Sequence, residues 1–343
     1  MQLINNGSSI KNAITLSIIV PVYNEQEMLP LFHHQLAKVL STLCDSRVEI
    51  IYINDGSDDE SWNVMLNLKS QYASMVCINL SRNFGKEAAM TAGIDNAKGQ
   101  AVILLDADLQ DPPELIPDML AAWHDGYDVV NMKRSARLGE SKFKRLAAHI
   151  YYRLLDYLSD VPLQKDVGDF RLLSRRVIES IKQLPERSRY MKGILSWPGY
   201  KQTTLNFERP GRVAGETKWS FVQLVKLGLS GITAFSVKPL RISTWAGALI
   251  SITTFTYGLW IILKTLMFGE VVAGYPSMML MQLFLGGVQL LAIGILGEYV
   301  GRIYAEAKAR PIYLTMDKKT VNAHSNNIEG GADTPHSVVH RHG

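Results

Sequence analysis

Residues 242–263 (ISTWAGALISITTFTYGLWIIL) and 271–297 carry no charged side chain, and this restricts the fold more than any other feature. A helix rises about 1.5 Å per residue, so about 20 such residues cross a hydrocarbon layer about 30 Å thick. Both stretches are long enough. They predict two transmembrane helices, at about 242–267 and 277–301. The loop between them holds Glu270, with Lys264 at its edge. Lys238 and Arg241 precede the first span, and Arg302, Lys308 and Arg310 follow the second. Positive residues on the outer ends predict that both termini and the head of the chain face the cytoplasm, in a multi-pass arrangement.

The rest of the chain reads as a soluble head. Of 343 residues, 47% are hydrophobic and 20% charged, enough to bury a sizeable core. That balance excludes a disordered polyelectrolyte, a collagen-like repeat and a disulfide mini-scaffold. A net charge of +4 gives no reason to expect nucleic acid as a partner. Cys44 and Cys77 lack metal-type spacing and fit a reduced compartment.

Residues 1–14 read as a leader without the basic region and apolar core of a signal peptide. From Leu16, five apolar runs read as buried strands: LSIIVPVY, VEIIYIND, MVCINLS, AVILLDAD and YDVVNMK. Helical patterns separate them at about 25–43, 58–73, 85–97 and 113–124. This alternation predicts an α/β domain over 15–218 with a parallel sheet and helices on both faces. Ligands in such sheets sit beyond the carboxyl ends of the strands. Those ends carry Asn24-Glu25, Asn54-Asp55 and Asp106–Asp108. Residues 141–160 present an apolar face beside Lys142, Lys144, Arg145 and Arg153. They suit a helix packed on the sheet as well as one at a lipid interface. Residues 219–240 read as a juxtamembrane amphipathic helix, and 304–343 as a cytoplasmic tail, disordered after about 318. Four tail histidines, His324, His336, His340 and His342, read as part of that disorder rather than as a metal site.

The segment Asp106-Ala107-Asp108-Leu109-Gln110-Asp111 follows an apolar strand. Two carboxylates one residue apart at a strand end can address one hard divalent cation, Mg²⁺ or Mn²⁺, which bridges diphosphate oxygens. Alone, such a pair is equally a solvated turn before Pro112-Pro113. Pro21, Tyr23 and Glu25 end the first strand and shape a pocket for a flat base. Asp55 ends the second, where a carboxylate can accept from a base imide or ribose hydroxyl. Asp169 stands in the otherwise apolar run Gly168-Asp169-Phe170-Arg171-Leu172-Leu173, about 60 residues past the paired acids. Each segment also has a plain structural reading, as a turn, a helix cap or a surface ion pair with Arg171.

Taken in order, these segments resemble the family 2 inverting glycosyltransferases of the GT-A nucleotide-sugar fold. Asn83-Phe84-Gly85-Lys86-Glu87, the run Arg212–Trp219, and a hairpin ending Leu296-Gly297-Glu298-Tyr299-Val300-Gly301-Arg302 are similar to its polyprenyl-phosphate branch. Within that branch the chain looks most like bactoprenol glucosyltransferases of O-antigen modification, from about residue 15 to 315. The resemblance implies a UDP-sugar donor, undecaprenyl phosphate as acceptor and the inner face of a bacterial cytoplasmic membrane. It implies Pro21, Tyr23, Glu25, Asp55 and Asp106 around the donor, and Asp106, Asp108 and Gln110 for Mg²⁺ or Mn²⁺ and diphosphate. Asp169 matches the catalytic base, with Asp108 also in the catalytic set. Arg134, Arg212 and Lys218 match basic positions near the phosphates, which suits two phosphate groups that must approach each other. Glucose is the expected sugar, with 4-deoxy-4-formamido-arabinose or mannose as alternatives, and a non-catalytic nucleotide-binding membrane subunit as the rival class. Relatives of this kind imply a homo-oligomer, a tetramer being the expectation. A processive polysaccharide synthase is disfavoured because no QxxRW motif is present. A dinucleotide-dependent oxidoreductase is disfavoured because Pro-Val-Tyr-Asn-Glu stands where its glycine-rich turn belongs.

Overall fold

The computed structural model describes residues 15–43, 47–134, 167–184, 186–187, 189, 191–195, 197–208, 238–268, 274–321 and 328–329. Two compact units divide the chain: Met1–Glu140, Gln164–Thr217 and Pro311–Gly343 form one, Ser141–Leu163 and Lys218–Arg310 the other. The expected helices at 141–160 and 219–236, the leader to residue 14, Cys44 and the four tail histidines lie outside the described residues.

The first unit is built on a sheet. Its strands are β1 (Leu16–Val22), β2 (Val48–Asn54), β3 (Ala73–Leu80), β4 (Ala101–Leu104), β5 (Val129–Arg134), β6 (Val167–Ser174), β7 (Gln202–Phe207), β8 (Thr315–Val321) and β9 (Ile328–Glu329). Helices α1 (Met28–Leu40), α2 (Ser61–Asn67), α3 (Lys86–Asn96) and α4 (Ile116–His124) link the early strands. Two more, α5 (Arg175–Gln183) and the single turn α6 (Met191–Ile194), follow β6. The strand order is β7-β5-β6-β4-β1-β2-β3-β8-β9. The central β4-β1-β2-β3 block is parallel, as the βα alternation predicts. Every residue of β2 is buried, which explains its unbroken VEIIYIN run.

One face of the block packs on α1 through Leu29, Phe32 and Leu36, against Tyr52 and Met65. The other receives α3, whose Ala88, Ala89, Ala92 and Gly93 keep that helix close to the sheet. A Cβ at Gly93 would stand 2.3 Å from Ile19 Cγ2, so the small residues set the helix–sheet distance. The N-terminal ends of the strands are tied by Glu49, which accepts from the Lys98 N–H at 2.6 Å.

The sheet departs from the sequence expectation at both flanks. β6 runs antiparallel to β4 and β5, and β7 runs parallel to β5, so the whole sheet is mixed. At the other flank, β8 pairs antiparallel with β3, Met75 opposite Val321. A chain disordered after about 318 is therefore corrected for 318–321 and 328–329, which are strand. An open β3 edge leaves a row of unpaired backbone groups, and TMDKKTV fills it although it is polar enough to read as tail. Three further hydrogen bonds secure it. Ser81 N–H donates to Leu314 O at 2.9 Å, Tyr313 Oη to Asp95 at 3.0 Å, and Lys318 Nζ to Asn96 at 2.8 Å.

In the second unit, α7 (Lys238–Phe268) and α8 (Tyr275–Ala307) pack on each other. Their 31 and 33 residues reach roughly 46 and 50 Å, longer than the runs expected at 242–267 and 277–301. Phe284–Ala307 is long and apolar enough to cross a membrane by length and composition, and none of its most apolar window is buried. Trp245, Leu249, Ile252 and Phe255 on α7 are likewise exposed.

Candidate active site

Four strand ends build one cavity of about 270 Å³, lined by Pro21, Val22, Tyr23, Glu25, Asp55, Asn83, Gly85, Lys86, Asp106, Ala107 and Asp108. The loop after β1 turns at Asn24, whose φ of 54° lies in the left-handed region that asparagine tolerates. Asn24 Oδ1 accepts the Asp58 N–H at 2.9 Å, and Ser61 Oγ accepts the Glu25 N–H at 2.9 Å. Gln26 N–H donates to Asp59 at 3.2 Å. These bonds lace the β1 and β2 loops together and fix Pro21, Tyr23 and Glu25 at the rim. Tyr23 is 44% exposed and presents an open aromatic face.

Asp55 follows β2 and is nearly fully buried. Its Oδ1 accepts the Phe84 N–H at 2.8 Å and its Oδ2 the Gly85 N–H at 2.9 Å. Burial pushes its carboxyl pKa up, and the two N–H donors pull it back only in part. The carboxylate thus organises the loop that follows β3. Close approach of that loop needs Gly56, at φ +64°: a Cβ there would lie 2.3 Å from the Arg82 carbonyl carbon and the Asn83 nitrogen.

Past β4, Asp106 and Asp108 both line the cavity. Leu109 has φ 57°, a conformation that a leucine adopts only under constraint, and Asp108 Oδ1 accepts the Gln110 N–H at 3.1 Å. Gln110 is expected beside a metal, but its side chain is buried and does not line the cavity. Asp169, third in β6, reaches the same place from the other side of β4: Lys86 Nζ lies 2.7 Å from Asp106 Oδ1 and 2.8 Å from Asp169 Oδ2. Burial lowers the Lys86 pKa, but Asp106 and Asp169 more than reverse this, so it ends well above the ordinary lysine value.

Lys86 stands in the motif Asn83–Glu87, where the sequence pattern by itself assigns it no role. A signal was present. Lys86 opens α3, where the positive end of the helix dipole disfavours a cation, and Asp106 and Asp169 offset that cost. Arg134 ends β5, with its side chain outside the described atoms, and Arg212 and Lys218 lie outside the described residues.

Among the described residues no group of three or more His, Cys, Asp or Glu is placed to enclose a metal. The donor set nevertheless fits a divalent cation held from one side. Asp106 and Asp108 offer hard oxygens, and Mg²⁺ or Mn²⁺ bound by one or two carboxylates takes its other ligands from phosphate and water.

Residues 17–182 match the sequence model of Glycosyl transferase family 2, and residues 238–303 match that of the GtrB C-terminal hairpin. The chain is 46% identical over 304 residues to the bactoprenol glucosyl transferase of Shigella phage SfX, covering 89% of this chain and 99% of that one. It is 45% identical over 306 residues to an uncharacterized glycosyltransferase of Synechocystis, covering 89% and 95%. Among solved structures, Mycobacterium tuberculosis glucosyl-3-phosphoglycerate synthase with Mn²⁺, UDP-glucose and phosphoglyceric acid is similar at 17% identity. That likeness covers 66% of this chain and 79% of that one at a TM-score of 0.42.

Proposed function

The chain belongs to glycosyl transferase family 2, and on that premise we propose that it transfers glucose from UDP-glucose to the phosphate of undecaprenyl phosphate, with inversion at the anomeric carbon. One observation carries the reading: Asp106, Asp108 and Lys86 line a single cavity, and Asp169 bonds to Lys86. The similarity to bactoprenol glucosyl transferases over most of the chain supports the sugar and the lipid.

The residues divide the work by chemistry. Pro21, Tyr23 and Glu25 form a rim suited to a uracil ring, and Asp55 holds the loop from Asn83 to Gly85 against it. Asp106 and Asp108 would hold a divalent cation, which when bound supplies charge neutralisation for the departing diphosphate. A lipid phosphate oxygen forms a bond to C1 of the sugar while the C1–oxygen bond to UDP breaks, so UDP carries away the bonding pair. An α-linked donor then yields a β-linked product. Phosphate monoesters have a second pKa of about 6, so the acceptor is largely dianionic at neutral pH and already nucleophilic. Asp169 therefore orients the acceptor or sugar and takes a residual proton where one remains. Lys86 offsets the negative charge that converges as both phosphate groups enter. Arg134, Arg212 and Lys218 are further cations for that purpose.

The apolar α7 and α8 suit a membrane hairpin, and the positive residues flanking it favour a cytoplasmic catalytic unit. Such a hairpin would give the chain access to a lipid acceptor.

The test is transfer of labelled sugar from UDP-glucose into a lipid extract by membranes carrying the protein and supplied with undecaprenyl phosphate. Label in the lipid that vanishes in Asp106→Asn supports the reading. Label from a different UDP-sugar alone reassigns the donor, and none from any UDP-sugar defeats the reading.

A further inference from the structure

Arg171 is a charged group that the proposed reaction leaves unused, and it is 3% exposed. On β6, residues two apart share a face, so Asp169 and Arg171 point the same way while Phe170 and Leu172 pack into the core on the other. The guanidinium is absent from the cavity lining. Its Nη2 donates to Gly168 O at 2.8 Å, and its Nε has no hydrogen-bond partner among the described residues. An arginine buried without compensation is costly, and the fold supplies two negative neighbours, Asp169 and Glu87. Glu87 is itself fixed, since its Oε2 accepts the Met191 N–H at 2.9 Å. Lys86 thus pairs with Asp106 and Asp169, and Asp169 and Glu87 are the anions that act on Arg171.

We propose that Arg171 is a positioning residue whose buried positive charge, on the same face of β6, keeps the Asp169 carboxylate oriented toward Lys86, which alone of the two cations pairs with it directly among the described residues. This rests on the role given to Asp169 in the transfer reaction. Lys86 is 41% exposed in its side chain and lines the cavity, so an entering diphosphate competes for it. Arg171 is shielded from substrate, and its hold on Asp169 persists through binding and transfer. Burial brings its pKa down to about 10, opposed by Asp169 and then Glu87, which leaves it a cation at neutral pH.

The test uses the full-length protein with UDP-glucose and undecaprenyl phosphate. It compares wild type, Arg171→Met, Asp169→Asn, the double variant and Arg171→Lys, and measures UDP affinity and melting temperature alongside. Misplacing a reacting group by about 1 Å costs up to about 100-fold in rate. Arg171→Met is therefore expected to lower kcat about 10-fold to 100-fold, with KM for UDP-glucose and UDP affinity unchanged. It should add no loss in the Asp169→Asn background, because the two act as a unit. Arg171→Lys should recover part of kcat. Where Arg171→Met fails to fold, Arg171→Lys carries the same cycle with Asp169→Asn. Losses that multiply in the double variant, or that follow melting temperature alone, overturn the role of Arg171. Normal turnover of Asp169→Asn with an active wild type removes Asp169, and Arg171 with it. A wild type that transfers no sugar instead refutes the transfer reading on which the role depends.

Discussion

Lys86 donates to Asp169 across 2.8 Å, joining the first turn of α3 to the third residue of β6, 83 positions along the chain. The same ammonium reaches Asp106. One cation thus compensates a member of the paired acids and the acid that approaches from the antiparallel part of the sheet. Replacing it by methionine keeps the chain length and leaves the acids mutually repelling. Lys86→Met is expected to lower kcat about 100-fold, the scale for losing one well-placed electrostatic contact. Steady-state kinetics with UDP-glucose check this, and an unchanged kcat would remove Lys86 from the machinery.

Gly56 tests the donor side of the cavity. An alanine there meets backbone atoms of Arg82 and Asn83 at 2.3 Å and must also hold a left-handed φ. A Gly→Ala change at positive φ destabilises by more than about 1 kcal/mol. The displaced loop is the one whose N–H groups satisfy Asp55. Gly56→Ala is expected to weaken UDP binding about 10-fold, with a lower melting temperature, the order of one lost buried hydrogen bond. Calorimetric titration with UDP decides it; an undiminished affinity would mean that the Asp55 loop does not shape the donor site.

Acid sensitivity near pH 6 is expected from His33, which does not line the cavity. Its Nε2–H donates to Lys69 O at 3.0 Å, so Nδ1 accepts from the Tyr52 hydroxyl at 2.8 Å and the ring is neutral. Burial pulls its pKa below 6.5, with the Lys69 carbonyl opposing. The unfolded chain then takes up the proton first. Stability is full above about pH 6.5 and falls as pH drops through that value toward the folded pKa. Asp59, Asp128 and Glu179, held below their ordinary values mainly by hydrogen bonds that outweigh burial, lose their contribution only near and below about pH 4. Thermal melts between about pH 7.5 and about pH 5.5 should show a decline that His33→Gln flattens, at a lower melting temperature throughout. An equal slope in the variant would exclude His33.

The parallel core of the sheet was legible because β1 to β4 are short, largely apolar runs set between helical spacers. Asp106 and Asp108 were legible for the same reason: they follow a strand whose end is unmistakable. β6 was harder. Asp169 could be singled out as an acid in an apolar run, but β6 pairs antiparallel with β4, and a sequence carries no local mark of strand direction. β8 was hidden because a polar strand covering an edge has the composition of a tail, and its partner β3 lies more than 200 residues earlier. Lys86 was hidden because its meaning is tertiary: only folding sets it between Asp106 and Asp169. Gln110 does not line the cavity, and adjacency to a paired-acid motif does not say which way a side chain turns.

The central claim is that a lipid phosphate oxygen displaces UDP directly at the sugar carbon. It is tested by supplying purified protein with UDP-glucose labelled with ¹³C at C1 together with undecaprenyl phosphate, and reading the lipid product by NMR. A β-configured anomeric carbon coupled to the lipid phosphorus is expected, lost in Asp169→Asn. An α-configured product, or labelled sugar released without coupling to phosphorus, would contradict it.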